Sequence, residues 1–282
     1  MSRILVSGAS GFLGKALVPA LKHAGHNVTG VIGDVTLAAS WEAAPDCDTV
    51  IHLAAKTFVP ESWENSAEFL RVNVVGTEQA LSYCRKYGAR LIFPSTYVYG
   101  APQYLPVDEA HPVQPNNPYT LSKVLAEQLC EFSAANHSVS TTILRLFNIY
   151  GPGQKEDFLI PKIAGQIARQ QPIHVADLTP KRDYIYIKDV VQAFLLALDA
   201  PAGLHKLNIC SGLSQSVADV IEALQTAARS NLTVSEDGKR RPGEVMDLYG
   251  SYTKAQALLG WHPRWPLADG LTDMLSAYKV AA

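Results

Sequence analysis

The sequence predicts an α/β fold in which a doubly wound parallel sheet is joined to a second, smaller α/β lobe. Up to about residue 150, short apolar runs alternate with longer segments in which apolar residues recur at helical spacing. Strands that are apolar throughout are typical of a parallel sheet covered on both faces. Further along the chain, Pro- and Gly-containing segments interrupt shorter elements. We therefore expect a main domain over 1–150 and a smaller lobe over 151–282, with part of 184–215 returning to the main domain.

The predicted elements of the first half alternate in chain order. The sequence pattern predicts strands at 3–7, 27–32, 48–55, 90–95 and 140–148, and helices at 11–25, 66–87 and 118–136. The last of these helices has Asn117 as its expected capping residue. Pro118 suits the first helical position, where its missing N–H costs nothing.

The composition of the chain argues against several classes of partner. The 282 residues are 48% hydrophobic and carry a formal net charge of −2, so we expect no general attraction to nucleic acid or to anionic membranes. The longest apolar runs are too short to span a bilayer. No signal-peptide pattern opens the sequence and the four cysteines are scattered, which is typical of a cytoplasmic protein with buried thiols. His23 and His26 are predicted to lie in a turn, and no metal site is expected.

The segment "VSGASGFLG" (6–14) predicts a dinucleotide-binding turn. Its three glycines follow a strand and open a helix. Gly8 permits the tight turn, Gly11 lets the backbone approach a pyrophosphate, and Gly14 lets helix and strand pack closely. The helix N-terminus attracts the phosphates. A glycine-rich turn without a ligand is the alternative, but the position at the first strand–helix junction favours the dinucleotide.

A second feature is the pair Tyr119 and Lys123, which lie four residues apart on a predicted helix. This spacing puts a phenol and an ammonium side by side on one face. Because the same spacing often arises by chance, the pair alone is compatible with a catalytic site and with a solvated surface. What the rest of the chain builds around the pair decides between the two.

The chain resembles the extended branch of the short-chain dehydrogenase/reductase superfamily, which includes nucleotide-sugar epimerases, dehydratases and reductases. The resemblance covers nearly the whole chain and rests on motifs in the family's order: "SGASGFLG", "DTVIHLAA", "RVNVVGT", "PSTYVYG", "YTLSK", "LRLFNIYGPG", "RDYIYIKDV" and "RPGEV". It implies a Rossmann fold, NAD or NADP as cofactor, and a nucleotide-diphosphate sugar as substrate. It also implies a homodimer formed through the helices at 66–87 and 118–136.

By this resemblance, Ser95, Tyr119 and Lys123 are the catalytic residues. The pKa of a free phenol is about 10, and a nearby ammonium and a positively charged nicotinamide both favour the phenolate. Tyr119 then takes a hydroxyl proton while hydride leaves for the cofactor. Ser95 hydrogen-bonds the same oxygen, and Lys123 also holds the nicotinamide ribose. Ser95 is preferred to Thr96 because the family's catalytic hydroxyl lies three residues before Val98.

The resemblance also implies cofactor contacts along several segments. They are Gly8, Ser10, Gly11, Phe12, Leu13, Gly14, Asp34, Val35, Leu53, Ala54, Ala55 and Asn73, together with Tyr119 and Lys123. Asp34 and Val35 match a stretch that meets adenine. Ile32 stands near the position where many relatives place an acid that holds the adenosine ribose, which is a departure from the family. No Arg or Lys lies nearby in the sequence to accept a 2′-phosphate, which favours NAD over NADP without excluding NADP.

Six residues match positions that contact the sugar nucleotide in relatives. They are Thr57, Thr96, Asn148, Leu159, Arg182 and Arg241. A diphosphate prefers arginine forks and amide donors, which suits this set. The alternative for Arg182 is a salt bridge to Asp183 or Asp189. For Arg241 it is a solvated position within a basic run.

Residues near the predicted catalytic group narrow the reaction. Thr96 and Tyr97 stand where the family's dehydratases carry Asp-Glu, which argues against elimination of water. The segment 151–165 contains no His, so proton shuttling at C3 and C5 is unsupported. We expect a nucleotide-sugar 4-epimerase with a transient 4-keto intermediate; the alternative is an NAD(P)H-dependent reductase of a nucleotide 4-keto-(6-deoxy)hexose. A non-catalytic dinucleotide sensor is a further alternative, opposed by the pair Tyr119 and Lys123.

Overall fold

The computed structural model describes residues 1–238 and 244–280. Its strands are β1 Arg3–Ser7, β2 Asn27–Gly30, β3 Thr49–His52, β4 Arg90–Thr96, β5 Thr141–Leu146, β6 Asn148–Tyr150, β7 Ile173–Val175, β8 Lys181–Arg182, β9 Tyr184–Tyr186, β10 Leu204–Ile209, β11 Gln215–Ser216 and β12 Val234–Glu236. Its helices are α1 Phe12–His23, α2 Ala38–Glu42, α3 Val59–Glu64, α4 Ser66–Leu70, α5 Gly76–Tyr87, α6 Pro118–His137, α7 Leu159–Ala168, α8 Ile187–Ala197, α9 Val217–Ala228, α10 Thr253–Leu259 and α11 Leu267–Val280. A π-helical turn, Arg71–Val75, lies between α4 and α5.

Six parallel strands form the central sheet in the order β2–β1–β3–β4–β5–β10. Successive residues of β1 enter different apolar clusters, because side chains of a strand alternate between the two faces. Ile4 and Val6 pack in a cluster with residues of α1 and α8, whereas Leu5 packs with residues of α5 and α6. The predicted doubly wound parallel sheet is therefore confirmed.

Short strands and three helices make up the smaller α/β region. β6 pairs with β9 and β7 with β12, both in parallel, and β8 pairs with β11 in antiparallel fashion. α9 and α11 pack together, and both contact α7. One continuous apolar cluster contains residues from both sides of position 150, so the proposed boundary between 1–150 and 151–282 stays a prediction. β10, within 184–215, lies in the central sheet.

The predicted continuous helix over 66–87 is wrong at its centre. The chain forms α4, then the π-helical turn, then α5. Asn73 lies inside this turn, and its buried amide bonds the backbone of Lys56 and the hydroxyl of Ser122. A π-helical turn contains one residue more than an α-helical turn. Here that turn points the polar side chain of Asn73 toward partners outside the helix. The spacing of apolar residues does not predict such an insertion.

The predicted strand over 140–148 is also divided. β5 stays in the central sheet to Leu146, and the chain then leaves it, so that Asn148 pairs with Tyr184 of β9. The start of α6 agrees with the sequence, because the side-chain oxygen of Asn117 accepts a hydrogen bond from the backbone N–H of Thr120 at 2.8 Å.

Three expectations about bulk properties concern the part of the chain that the structure describes. Its helices include none with the length and apolar character needed to cross a bilayer. All four cysteines are buried free thiols, as expected. Within 1–238 and 244–280, no group of three or more His, Cys, Asp or Glu side chains is arranged to hold a metal ion.

Candidate active site

The glycine turn between β1 and α1 is pressed against the end of β3. Gly8 has φ +68°, and a Cβ added there would lie 2.7 Å from the backbone nitrogen of Ala54. A Cβ on Gly14 would lie 2.4 Å from the carbonyl oxygen of Gly8. Both positions therefore require glycine, as their predicted roles in the turn and in helix–strand packing demand.

Gly11 differs from the other two glycines because it is exposed and an added Cβ would meet a single protein atom. That atom is the carbonyl oxygen of Gly8, at 3.2 Å. Gly11 is also the N-cap of α1 and offers no side chain to the first N–H groups of the helix. Those donors and the positive end of the helix dipole form a surface suited to an anion such as a pyrophosphate.

The other predicted cofactor residues fall into two groups. Ser10, Phe12 and Leu13 belong to the glycine turn, and Leu53, Ala54 and Ala55 follow β3 beside it; all six are at least partly exposed. The backbone N–H groups of Leu53 and Ala54 bond Ser7, which ties the two loops together. Asn73 is brought close but is buried, and its amide is used by Lys56 and Ser122.

At the far end of the predicted cofactor groove, Asp34 is exposed while the side chain of Val35 is buried. The backbone N–H of Thr36, with the Arg71 guanidinium and the Thr36 hydroxyl, lowers the pKa of Asp34 to about 2. Arg71 Nη1 lies 2.9 Å from Asp34, and its other nitrogens bond Glu68. The sequence has no Arg or Lys close to this position, but the fold brings Arg71 there from 37 positions away.

Lys123 lies one helical turn after Tyr119 on α6 and is buried. Its ammonium sits 4.0 Å from the centroid of the Phe93 ring and makes no hydrogen bond to any described residue. Burial lowers the pKa of Lys123 to about 8, against opposing contributions from Cys130 and Glu127. A cation stacked on an aromatic ring is held in place while its N–H donors stay available.

Within the protein alone, burial outweighs the groups that lower the phenol pKa. Burial raises the pKa of Tyr119 to about 12, and the nearby Thr96 hydroxyl partly opposes the shift. The neighbouring Tyr97 adds to the rise, and Lys123 is not among the groups that lower this pKa. A further positive charge or hydrogen-bond donor at the phenol is therefore needed before Tyr119 can serve as a base near neutral pH.

Ser95 is 4% exposed, and its hydroxyl has no hydrogen-bond partner among the described residues. It lies at the C-terminal end of β4, next to Thr96. Buried polar groups in native structures are nearly always paired, so an unpaired hydroxyl at the end of a strand is available to a ligand group. With the free N–H donors of Lys123, it fits the hydroxyl groups of a ribose or a sugar.

The predicted substrate residues are engaged by protein groups. Asn148 Oδ1 accepts a hydrogen bond from the Tyr97 hydroxyl at 3.2 Å, and its Nδ2 donates to the carbonyl of Asp183 at 2.9 Å. Arg182 pairs with Glu244, not with Asp183 or Asp189. Its guanidinium also donates to the carbonyls of Lys181 and Val245.

The remaining four predicted substrate residues differ in position. Thr57 is exposed in the loop after β3, and Leu159 opens α7, directly after Phe158, whose ring contacts Phe58. Thr96 is buried beside Tyr119. Arg241 lies outside the described residues.

Sequence reasoning missed His52 and Glu244, and it considered Tyr97 only as a position where the family's dehydratases carry an acid. Tyr97 and Glu244 hold predicted substrate residues, and His52 packs its ring against Phe93 under Lys123. The signal for His52 was present as a polar residue inside the apolar run of the strand predicted at 48–55. No sequence signal links Glu244 to Arg182, which lies 62 positions away.

The sheet order and the glycine turn define a Rossmann-type dinucleotide-binding protein. The chain belongs to the NAD dependent epimerase/dehydratase family, whose model matches residues 4–210. It is thus an NAD(P)-dependent enzyme of the epimerase or reductase type, which confirms the expected family, class and cofactor. The non-catalytic alternative is set aside.

Individual relatives match the chain over nearly its full length. GDP-6-deoxy-D-mannose reductase of Pseudomonas aeruginosa is 34% identical over 98% of this chain and 97% of the relative. A putative UDP-glucose 4-epimerase of Methanocaldococcus jannaschii is 31% identical over 98% of each chain. The solved structure of RMD from Pseudomonas aeruginosa complexed with NADPH superposes with a TM-score of 0.94 at 31% identity, covering 100% of both chains.

Proposed function

We propose that this enzyme moves hydride between C4 of a nucleotide-linked hexose and a nicotinamide cofactor, with Ser95, Tyr119 and Lys123 as its catalytic residues. The observation that carries the proposal is the convergence of an unpaired buried hydroxyl, a buried ammonium with free donors and a phenol. Ser95 lies at the C-terminal end of β4, where open α/β sheets bind their ligands. On α6, Tyr119 is next to Thr96 and Lys123 stacks on Phe93, and both neighbours belong to the same strand.

Three side chains of the protein have separate proposed roles at the reacting carbon. Tyr119 Oη accepts the proton of the C4 hydroxyl, and Ser95 Oγ donates a hydrogen bond to the same oxygen. Lys123 Nζ donates to the nicotinamide ribose and adds positive charge near the phenol. NAD, held by the residues of the glycine turn and the loop after β3, supplies the hydride acceptor.

Epimerisation at C4 is the version we favour. In this reaction the 4-ketone stays bound until hydride returns to its other face. No side chain should be placed to convert the ketone in another reaction, such as elimination of water. Thr96 and Tyr97 offer no carboxylate for elimination, and the Tyr97 hydroxyl is engaged by Asn148. The putative UDP-glucose 4-epimerase relative supports the same reaction class.

A one-way 4-ketosugar reductase is the second candidate, favoured by a specific observation. A reductase exchanges its cofactor in every cycle, and the predicted adenosine end of the groove is open: Ile32 is 87% exposed, and Asp34 and Arg71 are exposed as well. The GDP-6-deoxy-D-mannose reductase relative supports this candidate.

The two candidates are separated by a cofactor-balance experiment. Purified protein is incubated with UDP-glucose without added cofactor, and the sugar is followed by NMR. Conversion to the C4 epimer with constant absorbance at 340 nm supports the epimerase. Activity that requires GDP-4-keto-6-deoxymannose and consumes added NADH or NADPH one for one supports the reductase and overturns the first version.

The surroundings of Arg71 lead us to propose NAD rather than NADP. Asp34 and Arg71 pair at the predicted adenosine end of the groove, where a 2′-phosphate of NADP would lie. Arg71 is shared between Asp34 and Glu68, so the cluster has a net charge of −1 and repels a 2′-phosphate. NADH should bind more tightly than NADPH in a fluorescence titration; the reverse order would contradict the assignment.

We propose that the diphosphate of the substrate lies beside Asn148 and Arg182, because a guanidinium and an amide are the donors it prefers. Arg182 already pairs with Glu244, so the ligand has to compete with this carboxylate. Glu244→Gln should therefore bind nucleotide diphosphates more tightly than the wild type. Arg241 and Thr57 remain proposed contacts, as does Leu159 at the base.

We also propose a homodimer and a cytoplasmic location. α6 carries an exposed apolar stripe that includes Leu121 and Phe132, three helical turns apart, and Val75 is exposed on the neighbouring π-helical turn. A stripe of this kind on adjacent helices suits a helix-bundle contact between two copies. The buried free thiols are compatible with a reducing compartment.

A further inference from the structure

A buried ion pair joins α6 to β5. Glu127 Oε2 lies 2.7 Å from Arg145 Nη2, and Glu127 Oε1 accepts from Arg145 Nε at 3.1 Å. The two side chains are 3% and 2% exposed. Removing two charges from water costs more than such a pair usually returns in stability, so stability alone is a poor explanation of its presence.

The position of the pair suggests another reason. Glu127 follows Lys123 by four residues on α6, which places the two side chains on one face, one turn apart. Arg145 is the register partner of Ser95 across the parallel pair β4–β5. The ion pair therefore neighbours two of the three proposed catalytic residues. Glu127 is one helical turn from Lys123, and Arg145 is on the strand next to Ser95.

Hydrogen bonds extend the pair away from the catalytic residues. Arg145 Nη1 donates to the Tyr99 hydroxyl at 3.2 Å, and Tyr99 donates to Asn208 Oδ1 at 2.5 Å. The backbone N–H of Asn208 donates to Glu109, and its Nδ2 donates to the carbonyl of Val107. α6 is thereby fixed to β5, to β10 and to the loop after β4, so a rotation or slide of the helix would break several buried bonds.

We propose that Glu127 and Arg145 are positioning residues: Arg145 holds the Glu127 carboxylate one turn from Lys123, and this carboxylate keeps Lys123 in its charged form. The inference rests on the proposed function, because it assigns a purpose to the charge of Lys123. It adds two residues that touch neither cofactor nor substrate.

The other titratable groups facing Lys123 do not supply this charge. His52 on β3 is buried, and burial, with the charge of Lys123, lowers its pKa to about 3. Cys130 on α6 is buried, and its pKa is raised, so the thiol is neutral. The phenol of Tyr119 is neutral as well. Cys130 and Glu127 both raise the pKa of Lys123, and of the two Glu127 is the one held by an ion pair, with Arg145.

The test is the double variant Glu127→Gln with Arg145→Met. It removes both charges and nearly conserves volume, a change that buried ion pairs often tolerate. The side-chain pKa of Lys123 is measured in the cofactor-free protein by ¹³C NMR of ε-labelled lysine, with the signal assigned by its loss in Lys123→Met. We expect this pKa to fall by about one unit. The pH at which turnover declines on the alkaline side should fall by the same amount.

Glu131→Gln is the matched control. Glu131 lies one turn beyond Glu127 on the same helix and pairs with Lys206 of β10 at 2.6 Å, but it is 40% exposed. This variant should leave both the Lys123 titration and the pH profile unchanged. Glu127→Gln alone is a second test of the same titration, and it should lower the pKa of Lys123 at least as far because Arg145 keeps its charge.

Two results separate the failure of this inference from the failure of the proposed function. A folded double variant with the wild-type Lys123 titration and pH profile would show that the pair is structural and overturn the inference. Full turnover by Lys123→Met would overturn the proposed role of Lys123, while the NMR titration would still report whether Glu127 controls its charge.

Discussion

Tyr119 and Lys123 respond to burial in opposite directions, because loss of hydration disfavours whichever form is charged. The phenol pKa is raised to about 12 and the ammonium pKa is lowered to about 8. At neutral pH the resting pair is therefore phenol and ammonium. Forming the phenolate near pH 7 costs several kcal/mol at about 1.4 kcal/mol per pKa unit. Two contributions must offset this cost. One is positive charge near the phenol, and the other is a hydrogen bond from the hydroxyl of the bound substrate.

Removing the phenol oxygen tests the proposed base. Tyr119→Phe should lose at least about 100-fold in turnover, the low end of what a positioned acid–base group contributes, because the proton acceptor is absent. NADH binding, followed by fluorescence, should be retained. Tyr104→Phe is the control, since Tyr104 is exposed and bonds Asp108. More than a few per cent residual activity in Tyr119→Phe would rule out the base assignment.

The open position of Gly11 provides a second test at the residue scale. Gly11→Val places a branched side chain where the pyrophosphate is proposed to lie, while its nearest protein atom is the carbonyl of Gly8 at 3.2 Å. The variant should fold and bind NADH at least about tenfold more weakly, the loss of roughly 1.4 kcal/mol. Gly30→Ala, with its nearest contact at 3.7 Å, is the matched control. Wild-type NADH affinity in folded Gly11→Val would remove the proposed phosphate site.

At the scale of elements, α6 combines two proposed functions on two faces. Its buried face holds Lys123 and Glu127 against the sheet, and its outer face exposes Leu121 and Phe132. One helix can do both because residues three or four apart share a face while others point away. If the outer face is a dimer contact, the packing of a second copy would also steady the catalytic helix.

A charge on the outer face of α6 should separate the proposed dimer. Phe132 is 60% exposed, so Phe132→Glu removes little core packing but would place a carboxylate in an apolar interface. Light scattering at micromolar concentration should show a dimer for the wild type and a monomer for the variant. Leu213→Glu is the control, because Leu213 is similarly exposed at 56% on a different surface. A monomeric wild type would refute the dimer.

At the scale of the whole molecule, His52 links stability to pH. Its Nδ1 lies 2.7 Å from the Ser7 hydroxyl, and its Nε2 has no partner among the described residues. Burial, with the nearby charge of Lys123, lowers its pKa from 6.5 to about 3. The unfolded chain therefore binds one more proton than the folded protein between these two values. Stability from this group is complete above about pH 6.5 and is lost as the pH falls toward 3.

Replacing the imidazole should remove this part of the acid sensitivity. When the pH is lowered from 6.5 to 5, protonation of His52 in the unfolded chain should lower the wild type's free energy of unfolding by about 2 kcal/mol. This value follows from about 1.4 kcal/mol per pH unit. His52→Gln does not titrate, so its free energy of unfolding should fall less over the same interval. Urea unfolding at pH 5, 6 and 7 measures the difference. Parallel pH profiles for the two proteins would mean that His52 is not a buried neutral group.

The sequence by itself determined the features that depend on local pattern. Apolar periodicity specified the alternating strands and helices, and the glycine spacing specified a turn in which Gly8 and Gly14 have no room for a side chain. Asn117 and Pro118 specified the start of α6. These features follow from residues a few positions apart, where backbone geometry sets the contacts.

Tertiary structure decided the pairings between distant residues. Asp34 meets Arg71 from 37 positions away, Arg182 meets Glu244 from 62, and Glu127 meets Arg145 from 18. It also converted the centre of a predicted helix into a π-helical turn around Asn73. Charge pairing and burial depend on which elements the sheet order brings together. The strand order of the sheet brings together strands that are far apart in the sequence. The local spacing of apolar residues therefore cannot predict which side chains become neighbours.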